Sequence, residues 1–216
     1  NFFSPYKANN IKEFWKRWHI TLSRFFSEYV YIPLGGNKNG IIRTFINLMT
    51  TMLLGGLWHG AGWTFILWGG MHGLFLIINH GWQYLKVGMF GTKNYISANL
   101  SNTVGRAVTF IAVIFAWVLF RAESMEGAIN IYEGMLGFNG FSFHEKFLNE
   151  TETLNAIFGT NIFRANGFGA FGYIYGYLFI FILFIITMIM PNTIEFMRKH
   201  VNYETKIFIK FEKHEI

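Results

Sequence analysis

Apolar residues fill one very long stretch of the chain. Residues 44–85 are forty-two consecutive positions without Asp, Glu, Lys or Arg. As a helix this stretch would be roughly 63 Å long, enough to cross a bilayer core of about 30 Å twice. The glycine-rich break at Trp58-His59-Gly60 divides it, so the pattern predicts two membrane spans, at about 42–57 and 62–80.

Two more apolar runs follow. Residues 107–120 are uncharged, and residues 173–190 form a longer run that ends at Pro191. Each predicts a further span, which makes about four in all. The segment 81–104 is polar and predicts a loop, and residues 124–135 predict a helix at the surface.

An amphipathic helix is predicted over residues 11–30, before the uncharged run. Apolar residues recur there at three- and four-residue spacing: Phe14, Trp18, Leu22, Phe25 and Tyr29. Basic residues occupy its other faces, a composition typical of a helix lying in the membrane interface. Packing inside a soluble core is the alternative. Pro33 and the turn at 35–40 end this helix.

Composition agrees with a protein solvated by lipid. The 216 residues are 52% hydrophobic, 20% aromatic and 14% charged, whereas a soluble domain has about 25% charged residues. The net charge of +6 is concentrated before the uncharged run and in the tail, as expected of cytoplasmic membrane flanks rather than a nucleic-acid surface. These features predict an all-α, polytopic transmembrane protein. The start at Asn1 without Met predicts a piece of a longer one.

His59 is the strongest candidate for chemistry. An ionisable group at membrane depth is a functional-site hypothesis by default. Glycines on both sides let the backbone bend, and Trp58 and Trp63 supply apolar walls that exclude water. Desolvation there disfavours a charged imidazole, and a neutral imidazole is what a general base requires. A structural histidine bonded to a carbonyl is the alternative.

The other histidines give weaker signals. His19 could reach a site from the interface, or it could be an ordinary interfacial residue; His72 lines or braces the cavity. With no cysteine, no His-Glu-x-x-His and no carboxylate in the uncharged run, neither a metal site nor a bound cofactor is predicted.

Several motifs in this order resemble the membrane-bound O-acyltransferase (MBOAT) family, in the bacterial branch that holds the alginate O-acetylation protein and the D-alanyl transfer protein of teichoic acids. They are Phe14-Trp15-Lys16-Arg17-Trp18-His19-Ile20-Thr21-Leu22-Ser23, Tyr31-Ile32-Pro33-Leu34-Gly35-Gly36, Gly55-Gly56-Leu57-Trp58-His59-Gly60-Ala61-Gly62-Trp63, Trp68-Gly69-Gly70-Met71-His72-Gly73, Trp117-Val118-Leu119-Phe120-Arg121-Ala122 and Met190-Pro191-Asn192-Thr193.

The resemblance implies a fold and a set of site residues. His59 would be the catalytic histidine and His19 its functional partner, with Trp18, Trp58, Trp63 and His72 expected to line a tunnel. The chain would be the C-terminal part of one membrane domain over 1–216, whose N-terminal half is missing. Its parts would be an interfacial helix and turn (1–40), a membrane core (41–195) and a basic tail (196–216).

The resemblance also implies a reaction. An acyl group, acetyl before others, would pass from a cytoplasmic thioester donor (acetyl-CoA or an acyl carrier) toward hydroxyls of an extracytoplasmic polysaccharide. His59 would be the base or carry the acyl group. An extracytoplasmic acetyltransferase partner and a multi-pass location in the bacterial inner membrane are expected. The alternatives are a transporter or channel with a histidine proton relay, and a structural membrane scaffold.

Overall fold

The computed structural model describes residues 1–90, 98–138, 140–143, 148–158, 163–165 and 170–201. Nine α-helices lie within these ranges: α1 Ile11–Arg17, α2 Ile20–Phe26, α3 Ile41–His59, α4 Trp63–Phe90, α5 Ala98–Arg121, α6 Met125–Met135, α7 Leu148–Phe158, α8 Ala170–Ile189 and α9 Thr193–Val201. Two parallel strands, β1 Phe141–Phe143 and β2 Phe163–Ala165, form a small pair. The mainly helical prediction is confirmed, but this pair departs from all-α, because three residues are too few to show an alternating pattern.

The described residues form two compact units. One contains residues 1–120 and the described residues from 187 onward, and the other contains residues 121–186. The second unit includes α6, which confirms the helix predicted at 124–135 and begins where Ser124 Oγ accepts the Gly127 N–H at 3.0 Å. The single membrane domain over 1–216 stays a prediction.

The predicted helix over 11–30 is wrong as one continuous element. It is divided into α1 and α2 at Trp18 and His19, and His19 has a left-handed φ of 41°. Residues at the start of the chain form backbone hydrogen bonds across this division: Phe3 N–H donates to Arg17 O at 2.8 Å, and Ile20 N–H donates to Asn1 O at 2.9 Å. A π-helical turn at Ser27–Tyr31 follows α2.

Glycines bring α3 and α4 into backbone contact. A Cβ atom on Gly56 would collide with the carbonyl oxygen of Phe65, and one on Gly69 would collide with that of Met52. Small residues allow this close approach in membrane helix pairs. The predicted break begins later than expected, because His59 is the last residue of α3 and the break itself is residues 60–62.

The turn between the π-helical segment and α3 is fixed by a buried amide. Asn47 is almost fully buried in α3, and its Nδ2 donates to the carbonyl oxygens of Gly36 at 2.9 Å and Leu34 at 3.2 Å. Gly35 and Gly36 have positive φ angles of 104° and 55°, which glycine adopts at little cost. The predicted turn at 35–40 is therefore confirmed.

Helix α4 is longer than the span predicted within it. It continues to Phe90, and α5 begins at Ala98, so the predicted loop at 81–104 is wrong at both ends, since isolated glycines such as Gly88 do not end a helix. Residues 91–97, in the middle of that loop, and residues 202–216, most of the predicted basic tail, lie outside the described residues.

Two helices in the described part of the chain are long and apolar enough to cross a membrane. They are Ile41–His59, with mean hydropathy 1.3, and Ser101–Arg121, with mean hydropathy 2.0. Gly176–Ile189 is a shorter apolar helix. The first and third of the predicted spans thus coincide with such helices, while the total of four stays a prediction.

Candidate active site

His59 lies at the end of α3 within a group of aromatic rings. Its ring centroid is 5.2 Å from that of Trp68 and 5.0 Å from that of Phe120, both nearly perpendicular to it. Phe65 stacks on it at 6.4 Å. The imidazole is only half-buried, so one side remains accessible while the aromatic rings cover the rest.

A largely apolar cleft begins at this imidazole. The volume of the cleft is about 90 Å³, well above the 10–15 Å³ that a single water needs. His59 and Leu48 on α3 both line it, as do Trp68 and His80 on α4. Twelve residues separate Trp68 from His80, so the cleft follows α4 for roughly 18 Å.

The amino-terminal helices form another side of the cleft. Lys12, Trp15 and Lys16 of α1 line it, together with Ser23 of α2. A charge on Lys12 acts on His80, which places the lysine toward the end of the cleft away from Trp68. The cleft therefore has His59 at one end, and His80 with Lys12 toward the other.

His19 lies beside this cleft rather than in its wall. Of the described residues, the lining includes His59 but not His19, although the two imidazoles are near enough for charge on one to act on the other. Asn1 Oδ1 accepts from Thr21 N–H at 2.9 Å, so its Nδ2 donates to His19 Nδ1 at 3.2 Å. A neutral His19 then carries its proton on Nε2.

His72 is completely enclosed. It is 0% exposed and contacts Phe14, Trp15, Trp68 and Phe75 through ring centroids 5.0–6.3 Å apart. It thus braces the aromatic packing behind the cleft, and a direct role in lining a tunnel stays a prediction.

The tryptophans predicted as walls lie in different environments. Trp58 contacts His59 edge-on at 4.9 Å but is 59% exposed, and Trp63 is 71% exposed. Trp18 is half-buried, stacked on Phe14 at 5.6 Å. Their role in a tunnel stays a prediction.

The sequence interpretation missed the rings that do enclose His59. Trp68 follows it by nine residues and lies on the next helix, and Phe120 is more than sixty positions away. A signal was available for Trp68 alone, because folding the two predicted spans against each other at the break brings its turn of α4 beside the end of α3.

A mainly helical frame with a histidine lining an apolar cleft agrees with the protein family that the motifs resemble. The model of the MBOAT, membrane-bound O-acyltransferase family matches residues 1–120. The chain belongs to this family, and the resemblance read from its motifs is confirmed.

Curated relatives narrow the branch. The chain is 45% identical over 157 residues to the peptidoglycan O-acetyltransferase of Helicobacter pylori, covering 73% of this chain and 28% of that protein. It is 41% identical over 145 residues to the probable alginate O-acetylase AlgI of Pseudomonas aeruginosa, covering 67% and 26%. With the teichoic acid D-alanyltransferase of Streptococcus thermophilus it shares 31% over 133 residues, covering 56% and 32%. The chain thus spans about a third or less of each relative.

Proposed function

We propose that this chain is the site-bearing part of a membrane-bound O-acetyltransferase that modifies an extracytoplasmic polysaccharide. Membership of the MBOAT family supports acyl transfer. Two relatives named for O-acetylation are 45% and 41% identical, against 31% for one named for D-alanyl transfer, which favours acetyl as the group transferred. The transporter and scaffold alternatives have no comparable support.

The observation that carries the proposal is the position of His59. It lines an apolar cleft beside Trp68, with Lys12 toward the opposite end near His80. We infer that a thioester donor, acetyl-CoA or an acetylated carrier, enters from the basic end, which faces the cytoplasm, and presents its acetyl group to His59. Its phosphates would then meet Lys12 and Lys16, while the apolar walls exclude water that would hydrolyse the thioester.

In this reaction His59 acts as the base for the acceptor hydroxyl. A positioned base contributes on the order of 10²–10⁴-fold in rate. The enzyme holds no cofactor in this scheme, and the acyl donor is a co-substrate. We further propose a multi-pass location in the bacterial inner membrane and an extracytoplasmic acetyltransferase partner that completes transfer to the glycan.

Replacement of His59 tests the proposal. The full-length parent protein is expressed in cells that lack their own O-acetylation, and ester-linked acetate on the envelope glycans is measured. His59→Ala is expected to reduce acetate at least 100-fold, because no other group replaces the base.

Leu57→Ala is the matched control, since Leu57 lies two residues before His59 on α3 and has an exposed side chain. It is expected to retain wild-type acetylation. Full acetylation by a normally inserted His59→Ala protein would refute the catalytic assignment, and absence of acetate with the wild type would refute the proposed reaction.

A further inference from the structure

A second imidazole lines the cleft that contains His59. His80 lies on α4, twelve residues after Trp68, which places it roughly 18 Å further along the helix. Its Nδ1 is 3.2 Å from the carbonyl oxygen of Leu76. Because a carbonyl oxygen only accepts hydrogen bonds, Nδ1 carries the proton, and Nε2 of the neutral ring is an acceptor. The proposed reaction leaves this acceptor without a partner.

Nε2 of His80 can be reached by a molecule in the cleft. No described residue forms a hydrogen bond with it, and it is not enclosed by protein as the ring nitrogens of His72 are. The same is true of the hydroxyl of Tyr31, another residue that lines the cleft. The cleft therefore offers two accessible hydrogen-bonding groups in addition to His59.

The end of the cleft at His80 is electropositive. Lys12 lies close enough to His80 for its charge to act on the imidazole, and Lys16 lines the same cleft. No Asp or Glu is among the described residues that line it. A molecule with negative charge at its far end therefore matches the cleft better than a neutral one.

The cleft is narrow for its length. Its volume of about 90 Å³ is spread over roughly 18 Å of α4, which leaves room for an extended chain of atoms but not for a sugar ring or a purine base. Most of its wall is apolar and includes Leu22, Leu48 and Leu76. The molecule that fits is a thin, mainly apolar chain with a reactive group at one end and an anion at the other.

We propose that the cleft binds the phosphopantetheine arm of the acyl donor along its whole length. The thioester lies at His59, the phosphate lies at Lys12, and the pantoyl hydroxyl of the arm donates to Nε2 of His80. From sulfur to phosphorus the arm has about thirteen bonds, or roughly 16 Å at the advance of about 1.2 Å per bond of an extended chain, close to the length of the cleft. This inference rests on the proposed acetyltransferase function and assigns His80 a role in donor specificity.

Two donors carry this arm. Acetyl-CoA carries it on a nucleotide, and an acetylated carrier protein carries it on a serine. In either case the group beyond the phosphate remains outside the cleft, because the passage is too narrow to admit it. The hydroxyl of Tyr31 is then available to the amides of the arm, which need hydrogen-bond partners in an apolar cleft.

Donors of different length test the inference. In membranes containing the full-length protein, transfer of radiolabelled acetyl to the envelope glycan is measured from acetyl-CoA, acetyl-phosphopantetheine, acetyl-pantetheine and acetyl-N-acetylcysteamine. These donors lose the nucleotide, the phosphate and the pantoyl group in turn. The second donor is expected to match acetyl-CoA in kcat/KM, whereas loss of the phosphate is expected to lower kcat/KM about 10- to 100-fold.

Substitution of His80 shows whether it contacts the arm. His80→Phe keeps an aromatic ring but no acceptor, and it is expected to raise the KM for acetyl-CoA about 3- to 10-fold with kcat unchanged, because the bond is the same in the ground and transition states. The same variant should use acetyl-N-acetylcysteamine as well as the wild type does, since this donor lacks the hydroxyl. His80→Gln, whose side-chain oxygen accepts a hydrogen bond, is expected to restore most of the affinity.

Substitution of Lys12 has its own signature. Lys12→Gln is expected to raise the KM for acetyl-CoA and acetyl-phosphopantetheine but not for acetyl-pantetheine, because only the first two carry the phosphate. Lys38→Gln is the matched control, since Lys38 is an exposed lysine that does not line the cleft. It should keep the wild-type KM for every donor.

The outcomes separate the inference from the reaction on which it rests. Equal kcat/KM for acetyl-CoA and acetyl-N-acetylcysteamine, or a His80→Phe defect of the same size with both, would overturn the arm's place in the cleft while leaving the acetyltransferase intact. A wild-type protein that is inactive with every donor, an acetylated carrier protein included, would refute the proposed reaction. Faster transfer from the carrier than from acetyl-CoA, with the same dependence on His80, would support the inference and identify the carrier as the source of the arm.

Discussion

His19 is held in one position by its backbone conformation and by Asn1. Its left-handed backbone is rare for a side chain other than glycine and costs about 1–2 kcal/mol. Asn1 binds its Nδ1 and also the backbone of Thr21, so the ring direction and the backbone bend are fixed together. Because Nδ1 accepts this hydrogen bond, Nε2 of a neutral His19 is the donor, and the ring is close enough to His59 for the two to interact electrostatically.

His19→Asn removes the imidazole but keeps the backbone bend, since Asn tolerates a left-handed backbone better than most residues. The variant is expected to insert and fold like the wild type but to acetylate about 10-fold more slowly, a smaller loss than for His59→Ala. Acetate release from the glycans measures the rate. Activity equal to the wild type would leave His19 without a functional role.

Site residues could be predicted from the sequence where they belong to a motif. They could not be predicted where their position depends on contacts between distant parts of the chain. His59 at the end of an apolar span followed from the uncharged run and its glycines. The division of the helix at His19 could not be predicted. It depends on backbone hydrogen bonds with Asn1 and Phe3, and a periodic apolar pattern does not indicate such hydrogen bonds. Phe120 was missed because its ring contact with His59 joins two distant parts of the sequence.

The pair of helices α3 and α4 is the element that carries the site. Their crossing leaves no space at Gly56 or Gly69, because backbone carbonyls already occupy the positions where Cβ atoms would lie. The spans themselves were predicted from hydropathy and length. The end of α4 was not, because polar residues beyond position 80 continue as helix.

Gly69→Ala is expected to destabilise the protein by about 1–3 kcal/mol, since neither backbone can withdraw without repacking. Gly88→Ala is the matched control on the same helix, where the described residues leave open space, and the alanine should be neutral or stabilise the helix by about 0.5–1 kcal/mol. Melting temperatures in detergent distinguish the two variants. A Gly69→Ala protein as stable as the wild type would show that the helices can separate freely.

At the scale of the whole molecule, charge and topology support each other. Basic residues lie before the uncharged run and again after the last apolar helix. The two ends also meet within one unit, since Lys7 Nζ donates to Met190 O at 2.7 Å and Asn192 Nδ2 donates to Ser4 Oγ at 2.8 Å. An even number of crossings between them is the arrangement that these observations favour.

Single cysteines test this topology directly, because the chain contains none. Lys38→Cys and Lys206→Cys, each in a parent cleared of other cysteines, are expected to react with a membrane-impermeant maleimide only after the cytoplasmic side is opened. Glu126→Cys, in α6, reports on the segment after the third predicted span and should be labelled from outside. Labelling of positions 38 and 206 from opposite sides would require an odd number of crossings.

The close contact between α3 and α4 at Gly56 and Gly69 has one more consequence. Gly56 and Gly69 are near neighbours in sequence of His59 and Trp68, so the separation of these two rings is set by main chain resting on main chain. Rotamer changes on the lipid side of either helix therefore leave that spacing untouched. Substitutions on the outer faces of the two helices are therefore expected to leave the distance between His59 and Trp68 unchanged.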